Sequence, residues 1–192
     1  ILIDVLKKVE FGEKEYIEIK KYCDEKNITF LCTAWDIPSV DFLEKLNVPA
    51  YKIASSETTN LSLLRKMACT GKPIIVSTGM CDIIDIEEAL HVIKATGNTK
   101  IAILQCTTLY PLELDKVNLS VIRTLADRFN CPIGYSDHTL DSVSAIASIG
   151  VGANIIEKHF TLDKNLPGPD HKASLEPDGL KAMVSAIRTV EM

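Results

Sequence analysis

Apolar positions along this chain come in short, β-branched runs that alternate with amphipathic stretches. Such runs have the composition of strands buried on both faces of a parallel sheet. Six segments fit this description: 28–33, 50–55, 73–78, 100–106, 132–136 and 153–160. We expect each to form a buried strand.

The stretches between these runs repeat apolar residues at helical spacing, as in Leu61, Leu64 and Met67. The alternation predicts six βα units in series, whose crossover helices require parallel, right-handed connections. An open doubly wound sheet and a closed barrel both satisfy this rule. Because the sequence contains neither a G-x-G-x-x-G motif nor a P-loop, we predict an α/β fold of the (β/α)8 TIM-barrel type.

The six units are two short of a closed barrel, and the chain begins at Ile1 without an initiator Met. We therefore expect residues 1–192 to be a single, partial barrel domain of a longer protein, with two strands missing before Ile1. A helix at about 13–26 would complete the second unit.

Charge and composition narrow the class of protein. The net charge of −5 comes from 26 acidic and 21 basic residues without a basic block, so we predict no nucleic-acid partner. No apolar stretch approaches the roughly 20 residues that cross a bilayer, so we predict no membrane partner. The six cysteines form no C-x-x-C pair and follow no secretory segment, which favours reduced thiols and a cytoplasmic location.

Polar side chains interrupt the apolar runs at their carboxyl ends, the end that carries the active site in βα barrels. We expect them to converge on one rim. They are Thr33, Lys52, Ser55, Glu57, Ser77, Thr78, Thr107, Thr108, Ser136, His138, Glu157 and His159.

His138 and His159 end the last two predicted strands. Neighbouring parallel strands lie about 5 Å apart, so both imidazoles can reach one ion. Two neutral imidazoles with open positions suit Mn²⁺, Zn²⁺ or Fe²⁺ acting as a Lewis acid. The alternative is a pair of hydrogen-bonded polar residues in a hydrated barrel mouth, and spacing alone does not decide between them.

Lys52 lies inside a predicted buried strand, where it needs an anionic partner or has a lowered pKa. It is a candidate phosphate or carboxylate ligand, or a Schiff-base nucleophile. The hydroxyls of Ser55, Ser77 and Ser136 favour the anion site. A structural ion pair with Glu157 across the barrel is the alternative.

Two further carboxylates are candidates for acid–base chemistry. Glu57 follows Ser55 at the predicted rim, and Asp170 lies in the proline-containing segment 162–174. A loop of this length and composition is a natural substrate loop.

Five motifs in order connect these residues to a known family. They read YKIAS at 51–55, STGM at 77–80, GYSDHT at 134–139, EKHFT at 157–161 and PGPDH at 167–171. Together, from about residue 30 to residue 192, they closely resemble the N-acetylneuraminate (sialic acid) synthase family. The resemblance implies condensation of phosphoenolpyruvate with an N-acetylhexosamine such as N-acetylmannosamine, which releases phosphate.

The resemblance also implies roles for individual residues. His138 and His159 match the metal ligands, with Mn²⁺ the expected ion and Mg²⁺ or Co²⁺ as alternatives. The matched substrate-binding residues are Thr33, Lys52, Ser55, Ser77, Tyr110 and Ser136. Glu57 matches a carboxylate near the reacting carbons and would activate water, and Asp170 matches one in the sugar-side loop.

Two departures from the family pattern bear on the acceptor sugar, namely Leu109 in place of an expected asparagine and Trp35 in place of an expected phenylalanine. A legionaminic acid synthase, which uses a diacetamido sugar, is therefore the close alternative. The resemblance further implies a homodimer and a small C-terminal antifreeze-like domain, which is absent from these 192 residues. Readings of another class are a Schiff-base aldolase that uses Lys52 and a non-catalytic barrel fragment or binding module.

Overall fold

A single parallel sheet forms the centre of the computed structural model, which describes Lys7 and residues 10–192. Its strands are β1 (Tyr51–Ile53), β2 (Ile74–Ser77), β3 (Ile101–Cys106), β4 (Ile133–Asp137) and β5 (Ile156–Lys158). The helices are α1 (Glu13–Glu25), α2 (Ile37–Lys45), α3 (Leu61–Ala68), α4 (Ile83–Lys94), α5 (Ser120–Arg128), α6 (Val143–Gly150) and α7 (Pro177–Val190). Short 3₁₀ turns occupy Ser55–Glu57, Leu114–Lys116 and His171–Ala173.

The strands lie side by side in the order in which they occur in the chain, and every neighbouring pair is parallel. A doubly wound sheet reverses its strand order at a switch point, whereas the wall of a βα barrel keeps sequence order. The parallel α/β prediction is confirmed, and the order is that of a barrel wall. Closure into eight strands stays a prediction.

The first of the six predicted strands is wrong. Residues 28–33 form no strand and contribute only a parallel bridge between Thr33 and Lys52. Ile28 and Leu31 are 63% and 41% exposed, so this run is not buried on both faces. Its neighbour β1 has three residues, and the two segments meet only at Thr33. The described part of the chain therefore holds five sheet strands where we expected six.

The hydrophobic core lies between the sheet and its helices. Fully buried side chains such as Ile53, Ile74 and Ile103 alternate along the strands with residues of the other sheet face, while Leu64 and Ile122 pack from the helices. Among the residues that the structure describes, no helix is both long enough and apolar enough to cross a membrane.

Local signals set where the helices begin. The Asn60 side chain accepts a hydrogen bond from the Leu63 backbone N–H at the start of α3. The Asp82 side chain caps α4, and the Asp85 side chain accepts a hydrogen bond from the Asp82 backbone N–H, which completes a capping box. Pro177 occupies the first turn of α7, where its missing N–H leaves no hydrogen bond unmade. These residues set where α3, α4 and α7 begin after the loops that precede them.

Candidate active site

A cavity of about 450 Å³ opens where the strands end at their carboxyl termini. It contains both predicted metal ligands and every predicted substrate-binding residue. The residues that line it are Thr33, Trp35, Lys52, Ala54, Ser55, Ser56, Ser77, Met80, Cys106, Thr108, Tyr110, Ser136, His138, Glu157 and His159. Of the twelve residues predicted to converge on one rim, nine line this cavity, whereas Glu57, Thr78 and Thr107 do not. The Thr78 and Thr107 hydroxyls instead donate to the backbone carbonyls of Leu104 and Lys116.

Lys52 reaches the cavity from the middle of β1. Its Nζ donates hydrogen bonds to Ser77 Oγ and to the Ile53 carbonyl, both at 2.8 Å. The side chain is 13% exposed, and burial lowers the pKa of this amine. Glu157, whose Oε2 is 3.5 Å from Nζ, opposes that shift. The ion pair between Lys52 and Glu157 is therefore present, and it lies in the same cavity as the serine hydroxyls.

Serine hydroxyls from several segments surround this amine. Ser77 and Ser136 are each 2% exposed, and Ser136 Oγ donates to Glu157 Oε1 at 2.7 Å. Ser55 Oγ accepts a hydrogen bond from the Gly79 backbone N–H at 3.0 Å. A Cβ at Gly79 would lie 2.2 Å from Thr108 Oγ1, so this close approach requires glycine. The result is a compact group of hydroxyl donors beside one ammonium.

The two histidines face each other on the other side of the cavity. Their ring centroids are 5.4 Å apart, with an interplanar angle of 74°. His138 Nδ1 lies 2.8 Å from the Thr107 carbonyl, which can only accept, so Nδ1 carries the proton and Nε2 keeps its lone pair. Burial lowers the pKa of His138, which favours the neutral ring. The Tyr110 ring packs 4.0 Å from the His138 ring and 5.5 Å from the His159 ring.

These features suit a divalent cation. A metal-binding histidine is neutral and holds its second nitrogen in a hydrogen bond, as His138 does with Thr107. Within the described residues, no group of three or more His, Cys, Asp or Glu side chains is arranged to hold an ion. The pair therefore offers two nitrogen ligands and leaves other positions for water or substrate oxygens.

The two carboxylates predicted to be catalytic lie beside the cavity and do not line it. Glu57 ends the turn Ser55–Glu57, and its Oε2 accepts a hydrogen bond from Asn60 Nδ2 at 2.8 Å. Asp170 precedes the turn His171–Ala173, with its Oδ2 4.0 Å from His159 Nδ1. Glu57 directly follows Ser56, which lines the cavity, and Asp170 lies beside His159, which also lines it.

Comparison with known proteins shows which family contains this arrangement of residues. The whole chain, residues 1–192, matches the NeuB family. This chain belongs to the NeuB family. The resemblance inferred from the five motifs is confirmed, because the relatives include proteins named as an N,N'-diacetyllegionaminic acid synthase and an N-acetylneuraminic acid (sialic acid) synthetase.

Individual relatives show how far the similarity extends. Protein MJ1065 of Methanocaldococcus jannaschii is 48% identical over 188 residues, which cover 98% of this chain and 56% of that protein. The N,N'-diacetyllegionaminic acid synthase of Campylobacter jejuni is 44% identical, over 98% of this chain and 57% of its own length. This NeuB chain thus spans a little over half the length of these curated relatives.

A solved structure gives the same result for the fold. The crystal structure of the N-acetylneuraminic acid (sialic acid) synthetase from Leptospira borgpetersenii superposes with a TM-score of 0.95 at 35% identity. The superposition covers 98% of this chain and 66% of that one.

Some residues that line the cavity, including Cys106 and Met80, had no role in the sequence prediction. Cys106 ends β3, so the argument from strand ends applies to it as well. Met80 reaches the cavity from a loop, and local sequence does not indicate where a loop folds back. Glu157 and Trp35, which the sequence analysis named at the rim and near the sugar, both line the cavity.

Proposed function

We propose that the full-length protein condenses phosphoenolpyruvate with an N-acetylated amino sugar to give a nonulosonic acid and inorganic phosphate. The observation that carries this proposal is the division of one cavity into an ammonium with serine hydroxyls and a facing imidazole pair. The names of the NeuB relatives, which include legionaminic and sialic acid synthases, support the reaction class.

The Lys52 side of the cavity would bind phosphoenolpyruvate. Its phosphate and carboxylate oxygens accept several hydrogen bonds at once, and charge-assisted bonds are the strongest of these. Lys52, Ser77 and Ser136 supply such donors, while Thr33 and Ser55 line the same space. Among the residues that the structure describes, none forms a hydrogen bond with the buried Thr108 hydroxyl, which is consistent with a polar ligand here.

The histidine side would hold a divalent cation. His138 and His159 are the proposed ligands, with Mn²⁺ the first choice and Mg²⁺ or Co²⁺ as alternatives. When bound, such a cation polarises a carbonyl oxygen as a Lewis acid. Asp170 and Tyr110, which lie against the histidines, would then contact the sugar.

The residues divide the reaction between them. The methylene carbon of phosphoenolpyruvate forms a bond to the aldehyde carbon of the open-chain sugar while its own C=C double bond breaks. The aldehyde oxygen takes up a proton and becomes a hydroxyl, and water adds to the electron-deficient carbon that still bears the phosphate. Glu57 would accept the proton of that water. The carbon–oxygen bond to phosphate then breaks, and Lys52 with its serines stabilises the departing phosphate.

The acceptor sugar is the finer part of the proposal. An N-acetylmannosamine-type sugar and a diacetamido sugar are the two candidates, because both kinds of synthase occur among the relatives. Trp35 lines the cavity, whereas Leu109 is 46% exposed and does not. Of the two departures from the family pattern, Trp35 is therefore the one that can touch a sugar directly.

Phosphate release from phosphoenolpyruvate tests this function. The full-length protein is incubated with a panel of acetamido sugars, with EDTA, and with Mn²⁺ added back. We expect release that depends on one sugar, is lost with EDTA and returns with Mn²⁺. Absence of sugar-dependent release across the panel would contradict the proposal.

A Schiff-base aldolase is the second candidate, because burial lowers the pKa of Lys52 and so favours the nucleophilic neutral amine. Borohydride would then trap substrate on Lys52, and activity would survive EDTA. Loss of activity with EDTA and no trapped adduct would exclude this candidate.

A further inference from the structure

A buried ion pair joins β4 to β5 immediately before the two histidines. Lys158 Nζ lies 2.9 Å from Asp137 Oδ2, and the two side chains are 3% and 0% exposed. The two residues are direct partners in the parallel ladder. Asp137 precedes His138 in the chain, and Lys158 precedes His159.

The same two side chains also hold the backbone on the far side of His138. Asp137 Oδ1 accepts a hydrogen bond from the Thr139 backbone N–H at 2.9 Å. Lys158 Nζ donates to the Thr139 carbonyl at 2.5 Å. Because Thr139 directly follows His138, these contacts tie the chain on both sides of this histidine to β5.

The ion pair lies on the sheet face that points away from the catalytic cavity. Lys158 lines a second cavity of about 340 Å³, together with Ile149 of α6 and Met183 of α7. The preceding ladder pair, Ser136 and Glu157, faces the catalytic cavity and is joined by its own hydrogen bond. Two cross-strand contacts on opposite faces thus hold β4 and β5 together just before the histidines.

The free energy of a buried ion pair bears on whether Asp137 and Lys158 stabilise the fold or position the histidines. The desolvation of a buried ion pair largely offsets the attraction of its charges, so replacing both partners by neutral groups is often neutral for stability. Removing one partner leaves an unpaired buried charge and is strongly destabilising. A contribution to net stability therefore does not explain why this ion pair is buried here. Its location directly before both histidines points to a role in positioning them.

We propose that Asp137 and Lys158 are positioning residues that keep the imidazoles of His138 and His159 at the separation that a divalent cation requires. This inference rests on the proposed function, because it takes the two histidines to be metal ligands. Metal–ligand distances tolerate deviations of only about 0.2 Å. Small shifts between β4 and β5 would therefore weaken metal binding while leaving the Lys52 side of the cavity intact.

The double variant Asp137→Asn/Lys158→Met tests the inference in the metal-stripped full-length protein. It removes both charges together, so no unpaired charge stays buried. We expect its dissociation constant for Mn²⁺, measured by calorimetry and by electron paramagnetic resonance, to rise about 10-fold to 100-fold. The variant should still unfold cooperatively, with a melting temperature lowered by loss of the Lys158 hydrogen bond to the Thr139 carbonyl. Its affinity for phosphoenolpyruvate without metal should be unchanged, and the spectrum of bound Mn²⁺ should differ.

A matched control neutralises another ion pair away from the cavity. Lys72 Nζ lies 2.6 Å from Glu44 Oε1, and Glu44→Gln/Lys72→Met should leave Mn²⁺ affinity unchanged. Wild-type Mn²⁺ affinity in Asp137→Asn/Lys158→Met would overturn the positioning role. Failure of that variant to fold would also overturn it, because the pair would then be a stabilising element. Absence of Mn²⁺ binding to the wild-type protein would instead contradict the proposed function itself.

Discussion

Lys52 illustrates how one side chain can satisfy two demands in this site. Its ammonium lies in a strand that is otherwise apolar, and both Ser77 and Glu157 hold it there. Burial lowers the pKa of this amine, and the Glu157 carboxylate opposes that shift without reversing it. The two uses that the sequence left open, ion pairing and anion binding, are thus compatible in one geometry.

The proposed role of Glu57 as general base can be tested by a single substitution. We expect Glu57→Gln in the full-length protein to lower turnover by about 10²- to 10⁴-fold, since it removes the proposed general base. The glutamine carbonyl can still accept the hydrogen bond from Asn60, so the turn Ser55–Glu57 should keep its shape. Phosphate release measures the turnover, and calorimetry measures Mn²⁺ and phosphoenolpyruvate binding, which should not change. Near-normal turnover in this variant would remove Glu57 from the mechanism.

The strands show which parts of the fold local sequence determines. The runs that became β1 to β4 are buried along most of their length, and their apolar composition predicted them correctly. Residues 28–33 also form an apolar run, but they meet β1 only through the bridge between Thr33 and Lys52, and composition does not show how far such a ladder extends. Site residues on strand ends were predictable for the same reason, because parallel strands bring their carboxyl ends to one edge.

Close packing between β4 and β5 gives a prediction for Gly134. A Cβ at this position would lie 2.5 Å from the Ile155 carbonyl oxygen and 2.5 Å from Leu104 Cδ2. The Ile155 carbonyl also accepts the Tyr135 backbone N–H at 2.8 Å, so it cannot move without loss of that bond. We expect Gly134→Ala to lower the free energy of unfolding by about 1–3 kcal/mol or more in urea denaturation.

Gly150, at the end of α6, provides the control, since a Cβ there meets no atom of the described residues within 4 Å. Gly150→Ala should be neutral or should stabilise by up to about 1 kcal/mol, because alanine favours the helix more than glycine does. Equal effects of the two substitutions would show that strand packing at Gly134 is not limiting.

At the scale of the whole molecule, the candidate site extends across the sheet from β1 at one edge to β5 at the other. Lys52 lies on β1, Ser77 on β2 and Ser136 on β4, while His159 follows β5 directly. An anion bound by Lys52 and these serines would contact β1, β2 and β4, and a cation bound by the two histidines would join β4 to β5. Ligands that bind across these strands should stabilise the folded sheet as a unit.

We expect Mn²⁺ and phosphoenolpyruvate each to raise the melting temperature of the full-length protein. A ligand that binds only the native state at 100 times its dissociation constant adds about 2.7 kcal/mol to the free energy of unfolding. Thermal denaturation with each ligand alone and with both measures the effect. The expectation is an additive shift, because the two ligands use different side chains.

Two variants test which side of the cavity binds each ligand. His138→Ala/His159→Ala should abolish the shift caused by Mn²⁺ and keep that caused by phosphoenolpyruvate, whereas Lys52→Met should do the reverse. Since all three residues belong to the 192-residue chain, the same pattern is expected when that chain is melted by itself. A melting curve that neither ligand alters would favour the non-catalytic alternative, and loss of both shifts in either variant would show that the two sides are not independent.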